Sequence, residues 1–239
     1  MKTITAILLV ITPLWVQASG VVQLDRVKVD VFDKASLYRG AKTYVQYCLG
    51  CHSLKHMRYS RLAADLEVDD ERVKKELMYV GEKIHDSMQI AMPQDAAANW
   101  FGIKTPDLSL IARSRGADWL YSYLRGFYLD EARPFGVNNR VFKDVAMPNA
   151  LWELQGHRKA IFKTENGQEV ITRLKIVKRG SMNSKDFDAT VTDLVNFLVY
   201  VGEPSQLVRL KMGKWVILYL IIFWIVAYRL KKEYWKAVH

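Results

Sequence analysis

Two cysteines are all that the 239 residues contain. A zinc site needs four ligands. Cys48, Cys51 and His56 would supply three, and no further cysteine exists. If both thiols have another use, structural disulfides are excluded as well. No internal repeat is evident. Acidic residues are the scarcer charge, 25 against 35 Lys and Arg, for a net +10. That excess sits mostly at the ends. From Leu207 onward there are seven Lys or Arg against Glu233, and Lys2 opens the chain. Residues 21–206 keep only about +3, which gives nucleic-acid binding no support. The basic C-terminal tail reads as contact with anionic lipid.

Uncharged apolar runs are also few. One covers Ile4 to Val16, behind Lys2 and ahead of Ala18, Ser19 and Gly20. That is the layout of a secretory signal peptide. Thirteen residues are short for a membrane span, so cleavage after residues 1–20 is expected over an uncleaved anchor. The other run is Trp215 to Tyr228 (WVILYLIIFWIVAY). Flanking Lys211, Lys214 and Arg229 snorkel, and Trp215, Tyr219, Trp224, Tyr228 and Trp235 anchor at the interfaces. A transmembrane helix over 207–231 is expected. The signal peptide then places residues 21–206 outside and the tail 232–239 in the cytoplasm.

Both cysteines fall in Cys48-Leu49-Gly50-Cys51-His52, the C-x-x-C-H signal for covalent attachment of haem c. Thiols separated by two residues reach the two vinyl groups on one haem edge and form thioethers. The adjacent histidine then turns its imidazole onto the iron. A thioredoxin-like dithiol wants a strand before the motif and a helix starting at it. Here a helical pattern runs up to Cys48 instead. Covalent haem with a histidine ligand points to electron transfer.

Residues 35–47 read as a helix, with Leu37, Ala41, Tyr44 and Val45 on one face. Gly40 inside it suggests close approach of another backbone. Residues 186–201 form a second helix through Phe187, Val191, Leu194, Val195 and Leu198, capped by Ser184 or Asp186 and ended by Gly202 and Pro204. Asp118 to Phe127 is a third. Lys159 to Lys163 and Val170 to Val177, joined through Asn166-Gly167, read as a β-hairpin. Residues 86–107 show no clear period and are expected to loop around the haem. The fold class is mainly α: a cytochrome c-like haem domain with a small β-hairpin, plus one C-terminal transmembrane helix.

For the sixth iron ligand the residues leave a choice. Two Ala-Met-Pro triplets hold Met92 and Met147, and either proline would fix an extended loop. His85 and His157 are the other candidates. An acidic run, Asp65, Glu67, Asp69, Asp70 and Glu71, would steer a basic partner, although Arg72, Lys74 and Lys75 dilute it.

Over nearly its full mature length the chain resembles the cytochrome c1 family, the haem c subunits of ubiquinol–cytochrome c reductase (bc1) complexes. The resemblance is carried by Arg39-Gly40, the haem motif with Ser53, Arg58-Tyr59 and Arg61-Leu62. It continues through Pro106-Asp107-Leu108-Ser109, Arg113, Arg115, Met147-Pro148, Glu203-Pro204, Arg209, Gly213 and the terminal helix. The short chain and the leader look bacterial. The resemblance implies one haem c held by Cys48 and Cys51, with His52 and Met147 as the iron ligands. It sets Pro106 near the haem edge and Arg115, with Arg113 as the alternative, at a propionate. Trp119 stands where relatives often carry tyrosine. It also implies a non-catalytic redox subunit of an enzyme complex in the bacterial inner membrane, with its haem domain periplasmic. Single electrons would pass from the Rieske iron–sulfur protein to a cytochrome c acceptor, while cytochrome b oxidises the quinol. The alternatives are a free-standing anchored cytochrome c feeding a terminal oxidase, and a haem-based gas sensor.

Overall fold

The computed structural model describes residues 23–90, 92–165 and 167–237. The expected leader, 1–20, and Asn166 of the hairpin turn lie outside these. Along the described chain run α1 (Lys34–Tyr47), β1 (Leu54–Arg58), α2 (Tyr59–Leu66), α3 (Asp70–Leu77), β2 (Ser87–Met88), α4 (Gln94–Phe101), α5 (Ile111–Arg115) and α6 (Ala117–Arg125). There follow β3 (Phe127–Leu129), β4 (Val137–Asn139), α7 (Trp152–Gln155), β5 (Gly156–Glu165), β6 (Gln168–Arg179), α8 (Ser184–Gly202) and α9 (Gln206–Tyr234). Helices dominate, and the strands form three separate antiparallel pairs, β1–β2, β3–β4 and β5–β6. This is the mainly α class expected.

The core is the crossing of α1 and α8. Leu37, Ala41, Tyr44 and Val45 bury against Val191, Leu194, Val195 and Leu198, and the Tyr44 and Phe197 rings lie 5.7 Å apart. Each such aliphatic side chain contributes about 1.5–3 kcal/mol by leaving water. Gly40 makes the crossing tight. A Cβ there would stand 2.1 Å from the Asp193 carbonyl oxygen and 2.7 Å from the Phe197 Cβ, so the close backbone approach expected of this glycine is present. Arg39 flanks it with a bidentate pair to Asp193 at 2.6 and 3.0 Å.

Helix ends follow local chemistry. Asp33 caps α1 by accepting from the Ser36 N–H at 3.0 Å. The α8 cap is neither Ser184 nor Asp186. Asn183, in extended backbone, accepts from the Asp186 N–H, and Ser184 is already helical. The helix expected from Asp118 stops at Arg125, because Phe127 leaves to pair with Asn139 in β3–β4.

Residues 86–107 are more ordered than a loop. Met88 pairs with Leu54, and Gln94–Phe101 is helical until Gly102 turns left-handed at φ 73°. Eight residues are too few to show a period against alanine-rich neighbours. The hairpin is longer than its apolar residues indicate, since backbone pairing carries on through polar positions to Gly156 and Arg179. Gly167 has the positive φ, 77°, of a tight turn.

Helix α9 has 29 residues, about 43 Å at 1.5 Å per residue, and none of its apolar stretch is buried within the protein. It is long and apolar enough to cross a ~30 Å hydrocarbon core, and it extends the expected 207–231 span by about a turn in all.

α1 and α3 are joined by charge. Glu76 receives Lys42 Nζ at 2.5 Å, Tyr38 Oη at 2.9 Å and Arg72 Nε at 3.0 Å. These hydrogen bonds, Lys42 first, hold its carboxyl at about 2. The folded value lies below the unfolded one, so this stabilisation is complete above about pH 4.5 and lost as pH falls through about 2. In acid titrations of the holoprotein followed by circular dichroism, Glu76→Gln is expected to flatten the loss of stability between those values. Gly40→Ala is expected to lower stability by about 1–3 kcal/mol in thermal unfolding, because neither backbone at the crossing can recede freely.

Candidate haem-binding site

The last turn of α1 runs directly into the C-x-x-C-H motif. Cys51 N–H and His52 N–H both donate to the Cys48 carbonyl, at 3.0 and 2.9 Å. This single helical turn brings residues i, i+3 and i+4 to one side, which is why the spacing suits a cofactor approached from one direction. Cys48 is buried and Cys51 partly exposed. Burial, with the Cys51 charge adding to it, pushes the Cys48 thiol up to about 12. The Tyr44 hydroxyl, buried in the α1–α8 core, donates to the His52 carbonyl and ties the turn to the core.

His52 Nδ1 lies 2.8 Å from the Pro106 carbonyl oxygen. A carbonyl only accepts, so Nδ1 carries the proton and Nε2 keeps a free lone pair. Burial lowers the imidazole pKa, and the Pro106 bond only partly opposes this, so the ring stays neutral and able to ligate at pH 7.

Pro106 is held by its own neighbours. Leu108 N–H donates to the Ser53 carbonyl at 2.9 Å. Asp107 accepts from the Lys55 and Ser109 N–H groups, each at 2.9 Å, and Ser109 Oγ accepts from the His56 N–H at 3.2 Å. The Pro-Asp-Leu-Ser segment is thereby laced along residues 53–56. Burial raises the Asp107 carboxyl, but its hydrogen bonds outweigh that and hold it below its usual value.

Cys51, His52 and Pro106 line a groove of about 500 Å³, its open mouth included. Phe101, the last residue of the α4 helix that the sequence pattern did not reveal, and Ile103 just beyond it also line the groove. The loop after β4 contributes Ala146, Met147 and Pro148. Met147 is therefore in the groove. Met92 does not line it, and neither does His85, which is exposed, nor His157, which stacks on Trp152 at 5.6 Å.

The two arginines differ. Arg113 pairs with Glu203 at 2.5 Å and belongs to the α8–α9 junction. Arg115 is exposed, with its guanidinium 5.1 Å above the Trp119 ring. Trp119 stacks on Tyr123 at 4.9 Å, and the Tyr123 hydroxyl donates to Met147 Sδ at 3.4 Å. Trp119 and Tyr123 share one face of α6 at i and i+4, Arg115 reaches over it from the end of α5, and the series ends at the groove through Met147. Tyr123 escaped sequence reasoning, although this spacing was visible.

An uncommitted imidazole nitrogen, a thioether, two thiols one turn apart and apolar walls fit a haem c. The fold and the groove define a c-type cytochrome domain carried on a membrane-crossing helix. The sequence profile described as the Cytochrome C1 family matches residues 26–238. Cytochrome c1 of Allochromatium vinosum is 45% identical, covering 100% of this chain and 99% of that one. A Nitrosomonas europaea protein named ammonia monooxygenase gamma subunit is 43% identical over the full length of both. Mitochondrial cytochrome c1 of Schizosaccharomyces pombe is 28% identical over 87% of this chain and 68% of its own. The chain belongs to the cytochrome c1 family. It is a haem c protein and an electron-transfer subunit of the bc1 complex.

Asp107→Ala is expected to cost about 1–2 kcal/mol of stability, since two amides lose their acceptor. Hydrogen exchange should show the Lys55 and Ser109 amides losing protection. Unchanged protection there would mean that the carboxylate does not organise the segment.

Proposed function

We propose that the haem of this chain is ligated by His52 and Met147 and relays single electrons from the Rieske iron–sulfur protein to a cytochrome c acceptor. One observation carries this. Of the candidate sixth ligands, Met147 alone shares a groove with the imidazole, whose Nε2 is free. Bound there, the haem supplies a one-electron ferric/ferrous couple. The chain's own groups set its surroundings. Pro106 fixes the tautomer and ring direction of His52. Phe101, Ile103, Ala146 and Pro148 reduce water access, and Tyr123 steadies the Met147 sulfur. Thioether ligation and burial both favour the reduced state and raise the potential. With His52 and Met147 both committed to the iron, no position would be left for a substrate. The monooxygenase name of the Nitrosomonas relative therefore brings no second reading of this groove.

Quinol oxidation belongs to cytochrome b in this proposal. The expected leader exports residues 21–206 to the periplasm. Arg229, Lys231, Lys232 and Lys236 keep the end of α9 on the cytoplasmic side of the inner membrane. Arg115, at the end of α5 with its guanidinium over the Trp119 ring, is assigned to a haem propionate.

Met147→Lys is expected to abolish the far-red methionine–iron absorption band and to lower the reduction potential. Met92→Ala should leave both unchanged. A band that survives in Met147→Lys would overturn the ligand assignment.

A further inference from the structure

The charge on the domain surface is not where its composition suggests. Residues 156–179, the β5–β6 hairpin, hold seven Lys or Arg against two Glu. The rest of residues 21–206 holds 20 against 22. The domain's excess positive charge is therefore the hairpin's.

Register places four of these cations on one face. Lys159 stands directly opposite Lys175, Ile161 opposite Arg173 and His157 opposite Lys178. Residues 157, 159 and 161 alternate onto the same side of the sheet. Lys159, Ile161, Arg173, Lys175 and Lys178 are all exposed. The other face turns inward. Ala160, Ile171 and Leu174 are half-buried, and Phe162 meets the Tyr128 ring at 6.3 Å. Like charges directly across a strand pair destabilise it. Among the described residues, Lys159, Arg173, Lys175 and Lys178 have no carboxylate partner. Glu153 lines the cleft of about 490 Å³ at the hairpin's base, open mouth included, together with Trp152, His157 and Lys178.

The position of this face matters as much as its charge. Ala150 lines the haem groove, Trp152 begins α7, and α7 leads without a break into β5. The acidic run that would have attracted a basic partner is, apart from Asp70, internally consumed. Asp65 pairs with Arg61 and accepts from Tyr200, Glu67 pairs with Lys34, Glu71 with Lys74, and Asp69 caps α3. A membrane surface is the less favoured occupant. The hairpin joins the N-terminal end of α8, whereas α9 leaves from the other end, 19 residues or about 28 Å along the helix.

We propose that the outer face of the hairpin, through Lys159, Arg173, Lys175 and Lys178, steers an acidic redox protein to the haem groove, so that the electron acceptor of this chain is acidic. This rests on the relay reading of the groove. The step is a single electron passing from the ferrous haem of this chain to the oxidised centre of the acceptor, with no bond made and no proton moved.

The test uses the intact complex, reduced by ascorbate and mixed by stopped flow with an acidic or a basic cytochrome c. The rate constant for the acidic acceptor is expected to fall at least about tenfold as salt rises from low to high ionic strength, and that for the basic one to stay flat or rise. Lys159→Glu with Lys175→Glu should slow the acidic acceptor about tenfold at low salt and remove its salt dependence. Lys159→Gln with Lys175→Gln should act in the same direction but less. A basic acceptor favoured at low salt, or salt dependence unchanged by either double variant, overturns the proposal. So does hydrogen-exchange protection of the hairpin in anionic but not neutral nanodiscs, which would make lipid the occupant. The visible spectrum separates the two failures. A missing methionine–iron band in the unmodified complex defeats the relay reading, whereas a normal band with the wrong salt response defeats only the steering.

Discussion

The backbone contact between α1 and α8 at Gly40 is the constraint on which the other parts depend. Helix α1 ends in the turn that carries Cys48, Cys51 and His52, and α8 carries the hairpin at one end and α9 at the other. With the Asp193 carbonyl where a Cβ at residue 40 would lie, the two helices are set at one separation. Tyr44 then does two things from one position. Its ring packs against Phe197, and its hydroxyl fastens the His52 carbonyl. Core packing is thus translated into the position of His52.

The groove is made from segments far apart in sequence, and hydrogen bonds rather than bulk burial bring them together. The Pro106 carbonyl selects the tautomer of His52, and Asp107 selects the path of the backbone that presents that carbonyl. Met147 comes from a loop held through Tyr123, itself the end of a stack that begins at Arg115. Supporting groups of this kind usually decide how well a metal site is preorganised.

Charge follows a similar rule. Along the chain the most acidic stretch is residues 65–71, and in space nearly all of it is answered by neighbouring cations, a hydroxyl or backbone amides. The hairpin is the reverse case. Its cations are spread over two strands and look unremarkable in sequence, yet antiparallel pairing sets them opposite one another on one exposed face. Surface potential depends on which charges remain unanswered, and that is a property of the fold.

The sequence by itself determined the cofactor and its attachment, the long helices and the membrane-crossing segment. Each of these rests on a local pattern: a five-residue motif, a 3.6-residue period, an uncharged run. The close approach at Gly40 was legible too, because a glycine inside a strong helix needs a reason. Helix α4, the Asn183 cap and the full length of the hairpin were not, since each turns on a few residues with no period to reveal them. Only the tertiary structure decided between Met92 and Met147 as groove residues, since identical Ala-Met-Pro triplets carry no information about which one lies beside His52. It alone showed Pro106 as the partner of His52, Arg113 as a partner of Glu203, and the hairpin as the unanswered charge. Those are relations between residues tens of positions apart, and only the folded chain brings them within bonding distance.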